Sequence, residues 1–289
     1  MQEYHFVKIK KDLQQIVDML LLNGTLTESP GLVSGKIGIA IFFFHYAQFT
    51  KNNLFADYAM DLIDEMLNQI HINSPADYAE GLAGIGVGID YMIRNNFLNV
   101  KEDICEDFDQ RIVRVVYDPS QNFSLYGGLI GYGRYWLTRL NYKSSVILAQ
   151  KCLTRILTLI GENFSNISVS EQTDVFCFLN DLQKISDFDC CNILLEKIQR
   201  NLNFYSSDII QSFPRLGDSV ITDIVSSYHR NSYFNNALQC KIDVVLKHIP
   251  DLDIEKVPIG TGLLNGYAGE GMLRLTVLEQ TNMLWMKLL

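Results

Sequence analysis

Two kinds of apolar pattern alternate along the chain. In the first kind, apolar residues recur every three or four positions with charged residues between them, as from Ala56 through Met60 and Ile63 to Met66. This spacing predicts helices that bury one face and expose the other. The segments with this pattern are Ile9–Leu22, Leu54–Ile70, Glu102–Val116, Ser144–Ile160, Cys190–Leu202 and Tyr233–His248.

The second kind of pattern is a run that is apolar on nearly all sides, which is typical of a buried helix. Three runs are clear and two are weaker. They are Ile37–Tyr46, Ile85–Ile93 and Leu129–Leu140, then Val175–Leu179 and Ile221–Tyr228. No segment shows the alternation expected of a strand, so the sequence predicts an all-α fold.

A Gly-x-x-Gly step stands before the clear buried helices and recurs near the end of the chain. We call the first glycine of each step a marker glycine; the four are Gly35, Gly81, Gly128 and Gly266. The first two intervals are 46 and 47 residues, and the last is 138, or three times 46. Two degenerate units are therefore expected near positions 174 and 220, the second at Gly217. The chain then contains about six helical-hairpin repeats.

The first and last repeats are the best matched: Gly31–Gly38 and Gly262–Gly269 share glycine and leucine positions. An open solenoid would need polar capping repeats at its ends. We therefore predict an α/α toroid formed by a single domain of residues 1–289, with buried helices inside and amphipathic helices outside. We expect the marker glycine to adopt a positive φ, and the second glycine of the step to let inner helices approach. The inner helices should then begin around one cavity, where their dipoles favour anionic or carbonyl groups.

Composition and charge narrow the function. The net charge of −9 argues against nucleic-acid binding, which needs a basic surface, and leaves a cationic partner such as a basic peptide open. Six cysteines without CxxC spacing fit a reducing cytoplasm. No signal peptide is evident. The most apolar window is shorter than the roughly 20 residues that span a bilayer, so we expect a cytoplasmic protein without a membrane span.

The repeat resembles that of the lanthionine cyclase-like (LanC-like) proteins. The resemblance rests first on the motif Gly-Leu-x-x-Gly-x-x-Gly, which recurs with a period near 46 residues. It rests also on local matches to the family at Tyr78–Ile89, Gly131–Leu140, Gly262–Gly271 and the closing Leu284–Leu289. The resemblance covers nearly the whole chain and implies an α-toroid. It also implies chemistry: a zinc ion held by Cys, Cys and His activates a peptide thiol, which adds to a dehydrated Ser or Thr.

The residues that carry this chemistry in the family are replaced in this chain. Arg215 stands at the position of the first cysteine ligand, and a guanidinium cannot bind zinc. The family's Cys-His-Gly loop has no counterpart in this chain. The most similar stretch, Leu264-Asn265-Gly266, offers no metal ligand. Ser124 replaces the family's aspartate, and the stretch Ser168–Asp174 contains no histidine. We therefore expect no metal, no cofactor and no zinc-dependent cyclase activity.

Polar residues on the predicted loop face are the remaining candidates for binding. They are Arg215, Asp218, Ser124, Tyr126, Asn265, Tyr267, Asp77 and Glu80. Arg215 and Asp218 either recognise a carboxylate or pair with each other and fill the space of the metal. Asp77 and Glu80 either form an acid/base pair, as in α/α-toroid glycosidases, or cap the helix that is expected to begin near Gly84.

Three functions follow from these residues. The first is a zinc-free LanC-like pseudoenzyme or accessory of ribosomal-peptide maturation, which binds a peptide substrate or a partner modifying enzyme. The second is a peptide-modifying enzyme with metal-free chemistry, carried by Arg215, Asp218 or nearby tyrosines. The third is a carbohydrate-active toroid that uses Asp77 and Glu80.

Overall fold

The computed structural model describes residues 2–100, 103–118, 122–185, 188–204, 260–264, 266–279 and 284–289. The chain forms two compact units, residues 1–74 with 216–289 and residues 75–215. All regular secondary structure in the described residues is helical, without a strand, which confirms the all-α fold class. None of the helices in these ranges combines the length and apolarity needed to cross a bilayer. A single domain over residues 1–289 stays a prediction.

Ten α-helices lie in the described ranges. They are α1 (Gln2–Asn23), α2 (Lys36–Thr50), α3 (Leu54–Gln69), α4 (Leu82–Arg94), α5 (Glu106–Val116), α6 (Leu129–Arg139), α7 (Val146–Asn163), α8 (Val169–Ile185), α9 (Asp189–Phe204) and α10 (Tyr267–Glu279). Short 3₁₀ turns follow at Phe164–Asn166 and Leu284–Leu288. The predicted helices Ile221–Tyr228 and Tyr233–His248 lie outside the described residues.

Burial separates inner from outer helices as the apolar patterns predict. In α2, 11 of 15 residues are buried, and in α4 the proportion is 10 of 13. In α3 only four of 16 residues are buried, namely Ala59, Leu62, Ile63 and Met66. An inner helix is covered on all sides, whereas an outer helix contributes only its apolar stripe to the core.

Each inner helix packs against the outer helix that follows it, as in α2 with α3, α6 with α7 and α8 with α9. The connection decides the pairing, because only three residues separate α2 from α3, and Lys51 with φ 55° reverses the chain there. The first outer helix, α1, packs against the last inner helix, α10. The first and last of the described α-helices therefore form an outer–inner pair, as expected for an α/α toroid.

A repeated backbone hydrogen bond closes the loop before each inner helix. The N–H that follows the marker glycine donates to the carbonyl seven residues earlier. The four bonds are Lys36 to Ser29 (3.0 Å), Leu82 to Pro75 (3.0 Å), Leu129 to Asn122 (2.8 Å) and Tyr267 to Gly260 (3.0 Å). Each loop is therefore a compact turn that ends at a marker glycine.

Crowding inside this turn explains the marker glycines. At Gly81 a Cβ atom would lie 2.5 Å from the Pro75 carbonyl oxygen and 2.6 Å from the Asp77 nitrogen, closer than van der Waals contact allows. The positive φ that we expected is wrong, because φ is −107° at Gly81 and −131° at Gly128. Glycine is needed there for space, not for a left-handed conformation.

Neighbouring loops are joined by a second repeated set of backbone bonds. The Tyr126 carbonyl accepts the N–H groups of Tyr78 (3.0 Å) and Ala79 (3.1 Å). In the other unit, the Val33 carbonyl accepts those of Leu263 (2.7 Å) and Leu264 (3.2 Å). Donors and acceptors occupy equivalent positions before their marker glycines, so the last loop meets the first as the second loop meets the third.

Neighbouring inner helices approach closely at a glycine that lies five residues after the marker glycine. An aromatic ring of the next inner helix packs against this glycine. A Cβ at Gly86 would lie 2.5 Å from Tyr135, and one at Gly133 would lie 2.7 Å from Phe178. Gly271 faces Phe42 in the same way. We had assigned this role to the second glycine of the step, which instead faces loop atoms; a Cβ at Gly38, for example, would lie 2.5 Å from the Leu32 carbonyl.

The fourth repeat has lost its glycine loop. The helix α8 begins at Val169, so the polar stretch 168–174 ahead of the apolar run is mostly helix and not a glycine loop. Phe42 and Tyr135 each stand seven residues after a marker glycine. If Phe178 is their equivalent, Glu171 occupies the marker position, three residues before the predicted position 174.

A pair of adjacent glycines tests the crowding explanation. A Cβ at Gly128 would lie 2.6 Å from the Asn122 carbonyl oxygen and 2.7 Å from the Ser124 nitrogen, whereas at Gly127 nothing lies within 4 Å. We expect Gly128→Ala to lower the free energy of unfolding by about 3 kcal/mol, and Gly127→Ala to change it by less than about 0.5 kcal/mol. Urea denaturation measures both, and equal losses would contradict the explanation.

Candidate functional site

The described candidates lie in three places. Asp77 and Glu80 are in the second loop, residues 75–81, and Ser124 and Tyr126 are in the third loop, residues 122–128. These two loops are in contact through the Tyr126 carbonyl. Tyr267 is buried at the first position of α10 in the other unit. Arg215, Asp218 and Asn265 lie outside the described residues.

Side chains of the second loop hold its own turn. The Asp77 carboxylate accepts the backbone N–H of Glu80 at 2.9 Å. The helix α4 begins at Leu82 after Gly81, and its first N–H groups, those of Leu82 and Ala83, donate to the Pro75 and Ala76 carbonyls. Asp77 therefore holds the turn ahead of the helix, and capping by Glu80 stays a prediction. The carbonyls of the compact turn take the N–H groups that a capping side chain would bind. Asp77 and Glu80 share this one turn and do not face each other across a cleft.

The third loop is held in a similar way. The Asn122 side-chain oxygen accepts the Ser124 hydroxyl at 2.7 Å and the Ser124 N–H at 3.1 Å. The Ser124 hydroxyl therefore stabilises the turn. A neutral hydroxyl in this bond does not supply the carboxylate that the resemblance implies at this position.

Two carboxylates of α8 bind the third loop from its other side. Glu171 accepts the Phe123 N–H at 2.9 Å, and Asp174 accepts the Leu125 N–H at 2.9 Å. Leu125 occupies the position at which Tyr78 and Leu263 donate to a carbonyl of the adjacent loop. Asp174 therefore replaces that carbonyl in the repeat that has lost its loop.

Asp174 belongs to a polar cluster beneath the second and third loops. Arg134 of α6 bonds the Tyr78 hydroxyl, and burial raises the pKa of Tyr78 to about 12 despite the guanidinium charge. Burial likewise raises the pKa of Tyr126, and the Asp174 charge raises it further. We call Tyr78, Tyr126, Arg134 and Asp174 the loop-base cluster. Tyr78 and Arg134 lie inside motifs, and Tyr126 is one of the candidate binding residues. Nothing in the sequence indicates that these residues lie close together.

Burial also controls the ionisation of Asp174. It raises the pKa of this carboxyl to about 6, an effect that the Leu125 N–H and the Arg134 charge partly offset and the Glu171 charge reinforces. The group therefore changes protonation near neutral pH. A carboxyl with such a pKa is typical of functional sites, although buried ionic clusters that only stabilise a fold show it as well.

A second ionic network fixes the far end of α6. The Arg139 guanidinium, 2% exposed, binds Asp103 at 2.8 Å and Asp109 at 2.9 Å. The Tyr135 hydroxyl and the Ser145 hydroxyl each donate to Asp109 at 2.5 Å. Arg139 lies in the last turn of α6 and its partners satisfy its donors, so we assign this network to packing between α5 and α6.

The described residues do not fit a zinc ion. Zinc binds thiolate, but burial raises the pKa of Cys105 and Cys152 to about 12 and that of Cys177 as well. His45 is on α2, and His71 bonds Ser74 at 3.1 Å. In the ranges that the structure describes, no group of three or more His, Cys, Asp and Glu residues is placed to hold a metal. We therefore derive no step through zinc.

The pKa of Asp174 generates a prediction about stability. A folded-state pKa of about 6 exceeds the value of about 3.9 in an unfolded chain. The folded state then binds a proton more tightly, so the charged carboxyl lowers stability as pH rises from about 4 to about 6. Asp174→Asn keeps an oxygen for the Leu125 N–H and removes the charge. We expect it to raise the free energy of unfolding at pH 7.5 by roughly 2 kcal/mol and to change it little at pH 4.

Thermal or urea unfolding of both proteins across this pH range measures the difference. Asp174→Ala is the matched control, because it leaves the Leu125 N–H without its acceptor and should lower stability by about 1–3 kcal/mol. Parallel pH profiles for the wild-type protein and Asp174→Asn would show that the carboxyl is not perturbed by burial.

Comparison with protein-family models identifies one family. The family model described as lanthionine synthetase C-like protein matches residues 27–177, which is just over half of the 289 residues. A search among curated proteins finds no match. The matched range contains the first three glycine loops, the loop-base cluster and the start of the fourth repeat. The chain belongs to the lanthionine synthetase C-like family.

Proposed function

We propose that this chain is a zinc-free accessory protein of ribosomal-peptide maturation, which binds a peptide or a partner modifying enzyme in the cytoplasm. One observation carries the proposal: polar side chains at the described loop face hold the loops in shape. Asp77 binds Glu80, and Ser124 binds Asn122. These groups stabilise a surface and do not form a nucleophile with a base.

Replacements in the sequence support the absence of cyclase chemistry. Arg215 stands at the family's first cysteine ligand and Ser124 at its aspartate. A guanidinium repels a divalent cation, and Ser124 is a neutral donor within its turn. The scaffold of the family is kept while these two chemical groups have changed.

The helix starts support binding of peptide groups. In α2, α4 and α6 the first turn has no acidic residue, and no side chain caps the helix. No carboxylate within the helix itself therefore offsets the positive end of the dipole, although Asp77, Glu171 and Asp174 bind the adjacent loops. Loop carbonyls already accept the first N–H groups of these helices, so the attraction that remains for the carbonyl groups of a bound peptide is that of the helix dipole.

A metal-free peptide-modifying enzyme is the second candidate, and the loop-base cluster favours it. Asp174 has a pKa of about 6 and interacts with Arg134, which also bonds Tyr78. This combination could move a proton at neutral pH. The carbohydrate-active alternative loses its support, because Asp77 and Glu80 lie on a single turn.

Metal analysis and a peptide assay test the proposal together. We expect protein purified without chelator to contain far less than one zinc per chain by elemental analysis. We expect it to bind a fluorescent peptide that contains dehydroalanine and cysteine, without accelerating thioether formation over a protein-free control. Zinc-dependent cyclisation, or stoichiometric zinc, would contradict the proposal.

The same assay separates the two candidates. Metal-free modification of the peptide, lost in Asp174→Asn while circular dichroism is unchanged, would favour the enzyme. Binding without any mass change, retained in Asp174→Asn, would favour the accessory protein. Binding of neither this peptide nor a co-expressed modifying enzyme would remove the support for both.

A further inference from the structure

The outer helix α3 differs from the other outer helices in its charge. Its sequence contains four acidic residues, Asp57, Asp61, Asp64 and Glu65, and no lysine or arginine. The helices α1, α5, α7 and α9 each contain residues of both signs. An outer helix that carries charges of both signs is soluble and produces little local electrostatic field. A helix with charges of one sign produces such a field.

The aspartates of α3 form a continuous exposed row. Asp57, Asp61 and Asp64 are exposed and stand at i, i+4 and i+7, which places them on one face. No hydrogen bond or ion pair reaches their side chains within the described part of the chain. Glu65 differs, because it binds the buried Lys36 at 2.8 Å. Like charges three or four residues apart destabilise a helix, and no ion pair among the described residues offsets this repulsion.

Exposed apolar side chains border the row of aspartates. Met60 is 40% exposed and Leu67 is 41% exposed, and their spacing of seven residues puts them on the same edge. Leu54 begins the helix at 71% exposure, and Ile72 follows it at 87%. Single exposed apolar residues also occur on α7 and α9; those of α3 differ because they border a row of like charges, where one partner can cover both. We call Leu54, Asp57, Met60, Asp61, Asp64 and Leu67 the α3 face.

We propose that the α3 face docks a cationic amphipathic helix of a protein partner. Lysine or arginine at three- and four-residue spacing would pair with Asp57, Asp61 and Asp64. Apolar residues beside them would cover Met60 and Leu67. Complementary charge selects the partner and speeds its association, and apolar contact supplies attraction that salt does not screen. The inference rests on the proposed function only in that the protein partner is the modifying enzyme which that function requires.

Synthetic peptides test the α3 face directly. The probe is a fluorescent amphipathic peptide of leucine and lysine, and its control is the same peptide with glutamate for lysine. We expect the lysine peptide to bind, with affinity falling as salt rises, and the glutamate peptide not to bind. Cross-linking from lysine to acidic side chains, read by mass spectrometry, should locate the peptide on α3.

Matched variants separate the α3 face from net charge. The variant D57N/D61N/D64N and the control E106Q/D107N/E162Q each remove three exposed carboxylates. We expect about tenfold weaker binding for the first and less than about twofold for the second. Likewise M60S/L67S should weaken binding several-fold, whereas I147S/I193S, at apolar sites of similar or greater exposure on α7 and α9, should not.

The outcomes are distinct. Equal weakening by both carboxylate variants would reduce the effect to net charge and overturn the proposal, as would cross-links away from α3. The dehydroalanine peptide is then tested on D57N/D61N/D64N. If it binds as it does to the wild-type protein, peptide binding at the loops does not depend on the α3 face. If the lysine peptide does not bind while the dehydroalanine peptide does, the proposal for the α3 face is overturned and the proposed function stands.

Discussion

The structure depends on backbone hydrogen bonds between adjacent glycine loops. One carbonyl of each acceptor loop, that of Tyr126 or Val33, takes two N–H groups of its neighbour. This is possible only because each loop is tightly folded on itself, and that folding leaves no room for a Cβ at the marker glycine. The start of each inner helix, its neighbour and its burial follow from that constraint.

The fourth repeat shows how the constraint is met after a loop is lost. The N–H of Leu125 still requires an acceptor in a half-buried place, and Asp174 supplies it from within α8. A carboxylate is a costlier acceptor there than a carbonyl, since burial raises its pKa to about 6. The substitution keeps the third loop in place and also introduces a titratable group beneath it. Among the described residues, Asp174 is thus both a structural acceptor and a group that titrates near neutral pH.

Much of the fold could be predicted because it rests on period and pattern. The apolar run at Ile37–Tyr46 and the repeat of 46 residues predicted the inner helices, and the described ends of α3 lie within one residue of expectation. The reason for the marker glycines was missed, because crowding and positive φ both select glycine. Asp174 was missed because a polar stretch without glycine resembles a loop. Contacts between side chains that are distant in sequence, such as Arg134 with Tyr78, produce no periodic pattern in a single sequence.

Each of the described glycine loops is fixed by its contacts with neighbouring elements, and this is the central claim. Native-state amide hydrogen exchange, measured by NMR, tests this claim most directly. We expect the N–H groups of Tyr78, Leu125 and Leu263 to exchange as slowly as those of the inner helices, although all three lie in loops. Exchange at these three positions as fast as at exposed loop amides would contradict the account.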